Sequence, residues 1–302
     1  MFQIKVPASS ANLGAGFDCF GLALQLYLTV RFKPNNDLQT HKVELSGQGA
    51  ESLPKDENNL ILQVASFVAK NEQVSLPKLD LQIDNQLPLA RGLGSSAGAI
   101  VAGIAIVEAI LEKEFSSEKF FRYATEFENH PDNIAAARYG GFTIAVDTKQ
   151  DVIALKQKWP DKIKALVAIP NFQLDTQKAR SVLPTSYSRS DAVFNLQHAL
   201  LFQASIIQEN YSLIGTALKD CWHQHFRARL VPGLEEALIL ESPGLLGTAL
   251  SGSGPTILAL TTENFDDIAK NLEQIFAKHN ITSEIKLLEI DQQGRTIEFL
   301  YE

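Results

Sequence analysis

Apolar and polar positions along this chain fall into blocks, and each block predicts an element. FQIKVPA and, after a polar glycine-rich turn, CFGLALQLYLTVRF read as strands. VELSGQG and LDLQIDNQLPL are further strands. Between them, NNLILQVASFVAKN puts Leu60, Val64, Phe67 and Val68 on one side, which is helical spacing. SSAGAIVAGIAIVEAILEK is apolar nearly all round until Glu108, the pattern of a buried helix. SSEKFFRYATEFEN predicts a helix begun by a serine cap, and RYGGFTIAVD turns at two glycines into a strand. Past about residue 155 the rhythm changes. KALVAIPN is a strand, and TQKARSVLP, SDAVFNLQHALLFQASIIQ, YSLIGTALKD and PGLEEALIL are helices. GTALSGSGPTILALT is strand, turn, strand, and NFDDIAKNLEQIFAKHN is an amphipathic helix. IKLLEI and TIEFLYE are closing strands. This order predicts an α+β chain of two lobes, residues 1–155 and 156–302.

Composition narrows the class. With 45% hydrophobic and 21% charged among 302 residues, the chain can bury a sizeable core. A net charge of −8 weighs against coating nucleic acid or an anionic membrane, so neither partner is expected. The longest apolar run, AIVAGIAIV, is too short to span a bilayer, and the first residues lack signal-peptide blocks. Cys19 and Cys221 make no disulfide framework, and a reduced, cytoplasmic setting is expected. A small anionic ligand stays open, because a few placed donors outweigh the mean field locally.

Candidate chemistry begins at PLARGLGSSAGA, residues 88–99. The familiar nucleotide loop G-x-x-x-x-G-K-[ST] needs a lysine, and none is present. Gly92 and Gly94 permit torsions that other residues resist, and Ser95 and Ser96 open a helix. The four unpaired N–H groups of a helix start, with its partial positive charge, can hold phosphate oxygens without an ammonium group. A serine hydroxyl can add a donor or a ligand for Mg²⁺. Taken alone, the loop is equally well a turn before a core helix. Two companions shift the balance: PASSANLGAGFDCFGLAL at 7–24 and SGSGPTILAL at 251–260 also put small residues at sharp turns between apolar strands.

PASSANLGAGFD, PLARGLGSSAGA and SGSGPT together resemble the three motifs of the GHMP kinases. HPDNIAAARYGGF at 130–142 and TQKARSVLP at 176–184 are most similar to the homoserine kinases within that family. One departure is GLGSSAG in place of the family's GLGSSAA, and glycine at position 98 costs a helix only about 1 kcal/mol. The resemblance implies a two-lobe GHMP kinase fold, with an N-terminal lobe like ribosomal protein S5 domain 2 and a ferredoxin-like C-terminal lobe. It implies transfer of the γ-phosphoryl of ATP, with Mg²⁺, to the hydroxyl of L-homoserine on the route to threonine. Relatives often form homodimers, which the resemblance extends to this chain.

The resemblance also implies site residues. Pro88, Leu89, Ala90, Arg91, Gly92, Leu93, Gly94, Ser95, Ser96, Ala97 and Gly98 would hold the nucleotide, with Asn59 near the base beside Asn58 and Leu60. Ser96 and Glu128 would hold the metal, with Glu126 as the alternative carboxylate. Asp18 would contact the substrate amino group, and Asn12, His130 and Asn133 would line the pocket near the reacting hydroxyl. Arg180 and Arg227, with Thr176 beside them, would clamp the carboxylate; Arg227 is preferred to Arg229 for its spacing to Leu230. The catalytic set is Asn133, Asn12 and Ser96. Mevalonate kinases carry an aspartate base where Asn133 stands, and an amide takes no proton near neutral pH. The expected mechanism therefore has no strong side-chain base, and the proton passes to a phosphate oxygen. HQH at 223–225 suggests metal binding, but residues two apart on a helix do not face each other, so a structural role is expected. The alternatives are a sugar- or mevalonate-type kinase of the same family, a non-catalytic nucleotide-binding relative, or a fold-sharing ribosomal protein. The acidic charge argues against the last.

Overall fold

The chain is described by a computed structural model covering residues 1–301. Its first sheet has seven strands, β1 (Phe2–Ala11), β2 (Phe20–Pro34), β3 (Lys42–Gly47), β4 (Leu79–Asn85), β5 (Phe142–Asp147), β6 (Val152–Gln157) and, from the end of the chain, β11 (Thr296–Phe299). They run in the order β11-β1-β2-β4-β3, with β5 beside the start of β2 and β6 beyond it. Every pair is antiparallel except β3 with β4, which are joined through α1 (Leu60–Asn71). The remaining helices of this lobe are α2 (Ser95–Ile110), α3 (Ser117–Ala124) and α4 (Pro131–Tyr139).

Apolar patterning explains the layering. In α2 every residue from Ala97 to Ala109 except the half-buried Ala99 is buried, because α1, α4 and β1 all pack on it. Burial along β1 alternates at first and then becomes continuous through Pro7–Ala11, where the sheet is covered on both faces.

The second sheet is antiparallel, in the order β10 (Ser283–Leu288), β7 (Lys164–Pro170), β9 (Ile257–Thr261), β8 (Leu245–Leu250). Between β7 and β8 lie α5 (Thr176–Ser181), α6 (Arg189–Ile207), α7 (Ile214–Ala217), α8 (Gln224–Arg227) and α9 (Leu234–Leu238). The amphipathic α10 (Phe265–Lys278) covers this sheet with Ile268, Leu272 and Phe276. The larger core runs from the first sheet onto Val167, Leu258 and Leu260 of the second and contains an aromatic cluster. Phe142 of the first sheet lies 5.0 Å from Phe20 and 5.5 Å from Phe202 of α6, both edge-on, and Trp159 sits 6.2 Å away. Such pairs add roughly 0.5–1.5 kcal/mol each beyond their burial.

Three elements differ from the sequence pattern. The helix predicted over SSEKFFRYATEFEN stops at Ala124, and a separate helix starts at Pro131, where proline suits the first helical position. YSLIGTALKD yields a 3₁₀ turn and the four-residue α7 rather than a full helix. The short α8 within HQHFRARL was assumed for HQH but is not marked by the apolar pattern. Among the described residues no helix is long and apolar enough to cross a membrane.

Candidate active site

The three glycine-bearing turns meet between the sheets, and side chains from each lace them together. Ser9 Oγ donates to Asn133 Oδ1 (2.8 Å) in the first turn of α4, and its N–H reaches the Leu93 carbonyl (3.3 Å). Ser251 Oγ lies 2.8 Å from Ser10 Oγ and 2.6 Å from the Gly92 carbonyl oxygen. Asn12, at φ 73°, donates from Nδ2 to the Gly252 carbonyl (2.9 Å) and accepts the Asp18 N–H at Oδ1 (3.0 Å). Removing one partner of such a buried bond costs about 1–3 kcal/mol.

This lacing sets the phosphate loop. Gly92 and Gly94 have φ of 77° and 70°. A Cβ on Gly94 would sit 2.0 Å from Ser9 Oγ, and one on Gly92 would sit 2.2 Å from the Ser251 carbonyl oxygen. Only glycine lets the loop approach the other two turns so closely. Gly94 precedes α2 without a capping side chain. Among the described residues no acceptor meets the N–H groups of Ser95, Ser96 and Ala97, whereas Gly98 N–H closes onto the Gly94 carbonyl (2.8 Å). Three bare donors and the positive end of a 16-residue helix thus open on one cleft. The Arg91 guanidinium reaches across to the Pro170 carbonyl of β7, tying the loop to the second sheet.

The cleft has two ends. Its polar end encloses about 140 Å³. An adjoining apolar pocket of about 340 Å³ shares Ala90, Ser95 and Ser96 with it and is closed by Leu53, Leu60, Ile61 and Leu89. Asn59 lines this pocket with its amide already engaged: Oδ1 accepts Ile61 N–H (3.1 Å) and Nδ2 donates to the Pro54 carbonyl (2.8 Å).

Charged groups crowd the polar end. Arg180 Nη2 and Nη1 donate to Asp18 Oδ1 (2.6 Å) and Oδ2 (3.1 Å). Arg227 is 1% exposed, and burial foremost, with Arg180 next, pulls its guanidinium down to about 10, so it stays protonated near neutrality. Its Nε donates to the Ala179 carbonyl (3.2 Å) and its Nη1 to the Gly252 carbonyl (3.0 Å), while Nη2 has no acceptor among the described residues. His130 Nδ1 lies 2.9 Å from Glu128 Oε1, and its Nε2 is 4.0 Å from Asp18. Asp132 is buried beside them, and its Oδ1 accepts the Asn133 N–H (2.6 Å). Desolvation foremost and the Asp18 charge next push the Asp132 carboxyl up to about 6.

The family model for the GHMP kinases N terminal domain matches residues 59–141, and that for the GHMP kinases C terminal matches residues 202–278. A homoserine kinase of Solibacter usitatus is 40% identical over 294 residues, covering 97% of this chain and 96% of that protein. The chain belongs to the GHMP kinase family. A homoserine kinase of Candida albicans is 39% identical over 350 residues, covering 99% of this chain and 98% of its own. The solved homoserine kinase from Cytophaga hutchinsonii superposes with a TM-score of 0.85 at 27% identity, covering 98% of this chain and 97% of that one. A mevalonate kinase superposes with a TM-score of 0.71 at 14% identity, covering 96% and 99%, a likeness of fold alone.

The cleft of this GHMP kinase gathers nearly every residue expected from the motifs. Asn12, Asp18, Ser96, Glu128, His130, Asn133, Thr176, Arg180 and Arg227 all line it, with Pro88 and the loop from Ala90 to Ala97. Leu89 and Asn59 lie in the adjoining apolar pocket, and Gly98 lines neither, its space bounded by Leu87 and Leu28. Glu126 is exposed outside the cleft. The two histidines of HQH part company: His223 is buried and His225 exposed. Asp132 and Ser9 were passed over, and His223 was expected only to be structural. Asp132 stands within HPDN, where an acidic residue ordinarily marks a helix start, and nothing local signals its burial.

The donor set fits a nucleotide with Mg²⁺. Ser96 and Glu128 line one cleft beside three bare N–H groups. Among the described residues no group of three or more His, Cys, Asp or Glu could hold a metal unaided. Mg²⁺ characteristically takes one or two protein ligands and completes its shell with phosphate oxygens and water.

Proposed function

We propose that this chain is a homoserine kinase, transferring the γ-phosphoryl of ATP to the hydroxyl of L-homoserine to give O-phospho-L-homoserine in threonine biosynthesis. The relatives of near-full length that carry this name support it. The single observation that carries it is a carboxylate, Asp18, facing two guanidiniums, Arg180 and Arg227, beside the bare start of α2. A zwitterionic amino acid needs both charges, whereas a neutral sugar needs neither.

ATP with its Mg²⁺ supplies the transferable phosphoryl group. The N–H groups of Ser95, Ser96 and Ala97 would bind phosphate oxygens, Ser96 and Glu128 would hold the metal, and the apolar pocket at Asn59 would take the base. Asp18 would receive the substrate ammonium, and Arg180 and Arg227 its carboxylate. Thr176, Asn12 and His130 would shape the wall. Asn133, oriented by Ser9, would steer the hydroxyl without taking its proton, which would pass to a phosphate oxygen. Rate would then rest on positioning and preorganised donors.

The test is ADP release by the purified chain with Mg²⁺ and ATP, offered L-homoserine, mevalonate or galactose in turn, with the product read by phosphorus NMR. Homoserine-dependent ADP and a new phosphomonoester are expected. Turnover with another acceptor and none with homoserine would overturn the reading.

A further inference from the structure

A buried imidazole stands directly behind the amino-acid end of the cleft. His223 is 0% exposed. Its Nε2 lies 2.9 Å from the Gly14 carbonyl oxygen, and a carbonyl only accepts, so Nε2 carries the proton. Its Nδ1 lies 3.1 Å from Arg227 Nη1, and a guanidinium only donates, so Nδ1 is bare. The two partners together specify a neutral ring and its tautomer, and burial, the largest influence on this imidazole, favours the same uncharged form against the pull of the buried Asp220 carboxylate, 3.7 Å from Nε2. The ring also stacks on Phe17 at 5.2 Å between centroids. The guanidinium carbons of Arg180 and Arg227 lie 5.4 and 5.6 Å from the Phe17 ring centre.

Arg227 is thereby held on three sides. Nε is held by Ala179, and Nη1 is shared between Gly252 and His223, which leaves Nη2 for the cleft. A flat ring with a donor on one edge and an acceptor on the other is what joins Gly14, in the first motif, to Arg227. Glutamine carries its donor and acceptor at one end and can serve only one of the two partners.

We propose that His223 is a positioning residue for substrate recognition. Clamped between Gly14 and Arg227, its neutral ring turns Arg227 Nη2 toward the carboxylate of the amino-acid substrate. It governs carboxylate affinity and leaves phosphoryl transfer untouched. This rests on the homoserine reading of the site.

The experiment is steady-state kinetics of the wild type, His223→Gln, His223→Phe, Arg227→Gln and the His225→Gln control. Each is assayed with L-homoserine and with 2-amino-1,4-butanediol, which has a hydroxymethyl group in place of the carboxylate. Loss of a charge-assisted hydrogen bond corresponds to a homoserine KM raised about 10- to 100-fold in both His223 variants. Their kcat and KM for ATP should stay within about threefold, and kcat/KM for the diol should be unchanged. Adding His223→Gln to Arg227→Gln should cause little further loss, because both act on one contact. An unchanged homoserine KM, or equal losses on both substrates, overturns the proposal. Should the ring be too deeply buried to replace, nitrogen NMR of the wild type at pH 7 decides: the Nε2-protonated neutral tautomer supports it, and the other tautomer or an imidazolium defeats it. A wild type inactive on homoserine would instead strike the functional reading, so the two failures are distinct.

Discussion

Arg180 and Asp18, 162 positions apart, face each other across the cleft in a two-point ion pair, with Nη2 2.6 Å from Oδ1 and Nη1 3.1 Å from Oδ2. Both side chains are 31% exposed, so solvent screens the pair and it contributes little to stability. Its meaning lies in recognition. A zwitterion entering here replaces one ion pair with two of the same kind, so neither charge is left without a partner. Arg180→Ala should raise the homoserine KM by roughly 10- to 100-fold, the value of a charge-assisted bond, with KM for ATP unchanged. An Arg180→Ala enzyme with wild-type homoserine KM would remove Arg180 from the site.

The phosphate loop gives a second prediction. Alanine at position 94 must tolerate φ 70° and a Cβ 2.0 Å from Ser9 Oγ, so the start of α2 has to move. The left-handed conformation alone costs about 1–2 kcal/mol. Gly94→Ala should lower the melting temperature and weaken ATP binding at least tenfold by titration calorimetry. Retained ATP affinity in a folded variant would count against phosphate binding at this helix start.

Glu128 and Glu126 can be separated by metal titration. Only Glu128 lines the cleft, alongside Ser96. Glu128→Gln should raise the Mg²⁺ concentration for half-maximal activity several-fold, and Glu126→Gln should not. The reverse pattern would move the metal to the other carboxylate.

Asp132 makes two predictions from one burial. Its carboxyl is raised from 3.8 to about 6, mainly by desolvation, so its charged form is disfavoured in the fold. The raised group helps stability below the unfolded value, and that contribution is lost as pH rises through about 6. Relative to wild type, Asp132→Asn should therefore gain stability between pH 4 and pH 7, on the order of 3 kcal/mol, read by chemical denaturation at each pH. A difference that does not vary with pH rejects the shift. The same variant tests the mechanism. Without a side-chain base its kcat should fall less than about tenfold, whereas a loss of several decades with normal substrate binding would make Asp132 the proton acceptor.

Much of the site was legible because its signals are local. Gly92, Gly94 and the serines after them announce a tight turn and a helix start within seven residues, and Ser116 marks the head of α3. Where short-range signals mislead, they do so for a physical reason. The run from Ser116 to Asn129 has helical composition throughout, yet Pro131 restarts the chain in a new helix and α3 stops at Ala124. The four-residue α7 and α8 have no complete apolar face from which to be read.

The chain's own sequence determined which backbone segments could turn, cap and present bare N–H groups, because torsional preference and helix ends are set by neighbours a few residues away. The tertiary structure alone decided which side chains would meet. His223 finds Gly14 from 209 positions off, and Ser251 finds Ser10 from 241. Burial, and with it the raised carboxyl of Asp132 and the tautomer of His223, follows from those distant encounters, since desolvation depends on everything packed around a group and not on its position in the chain.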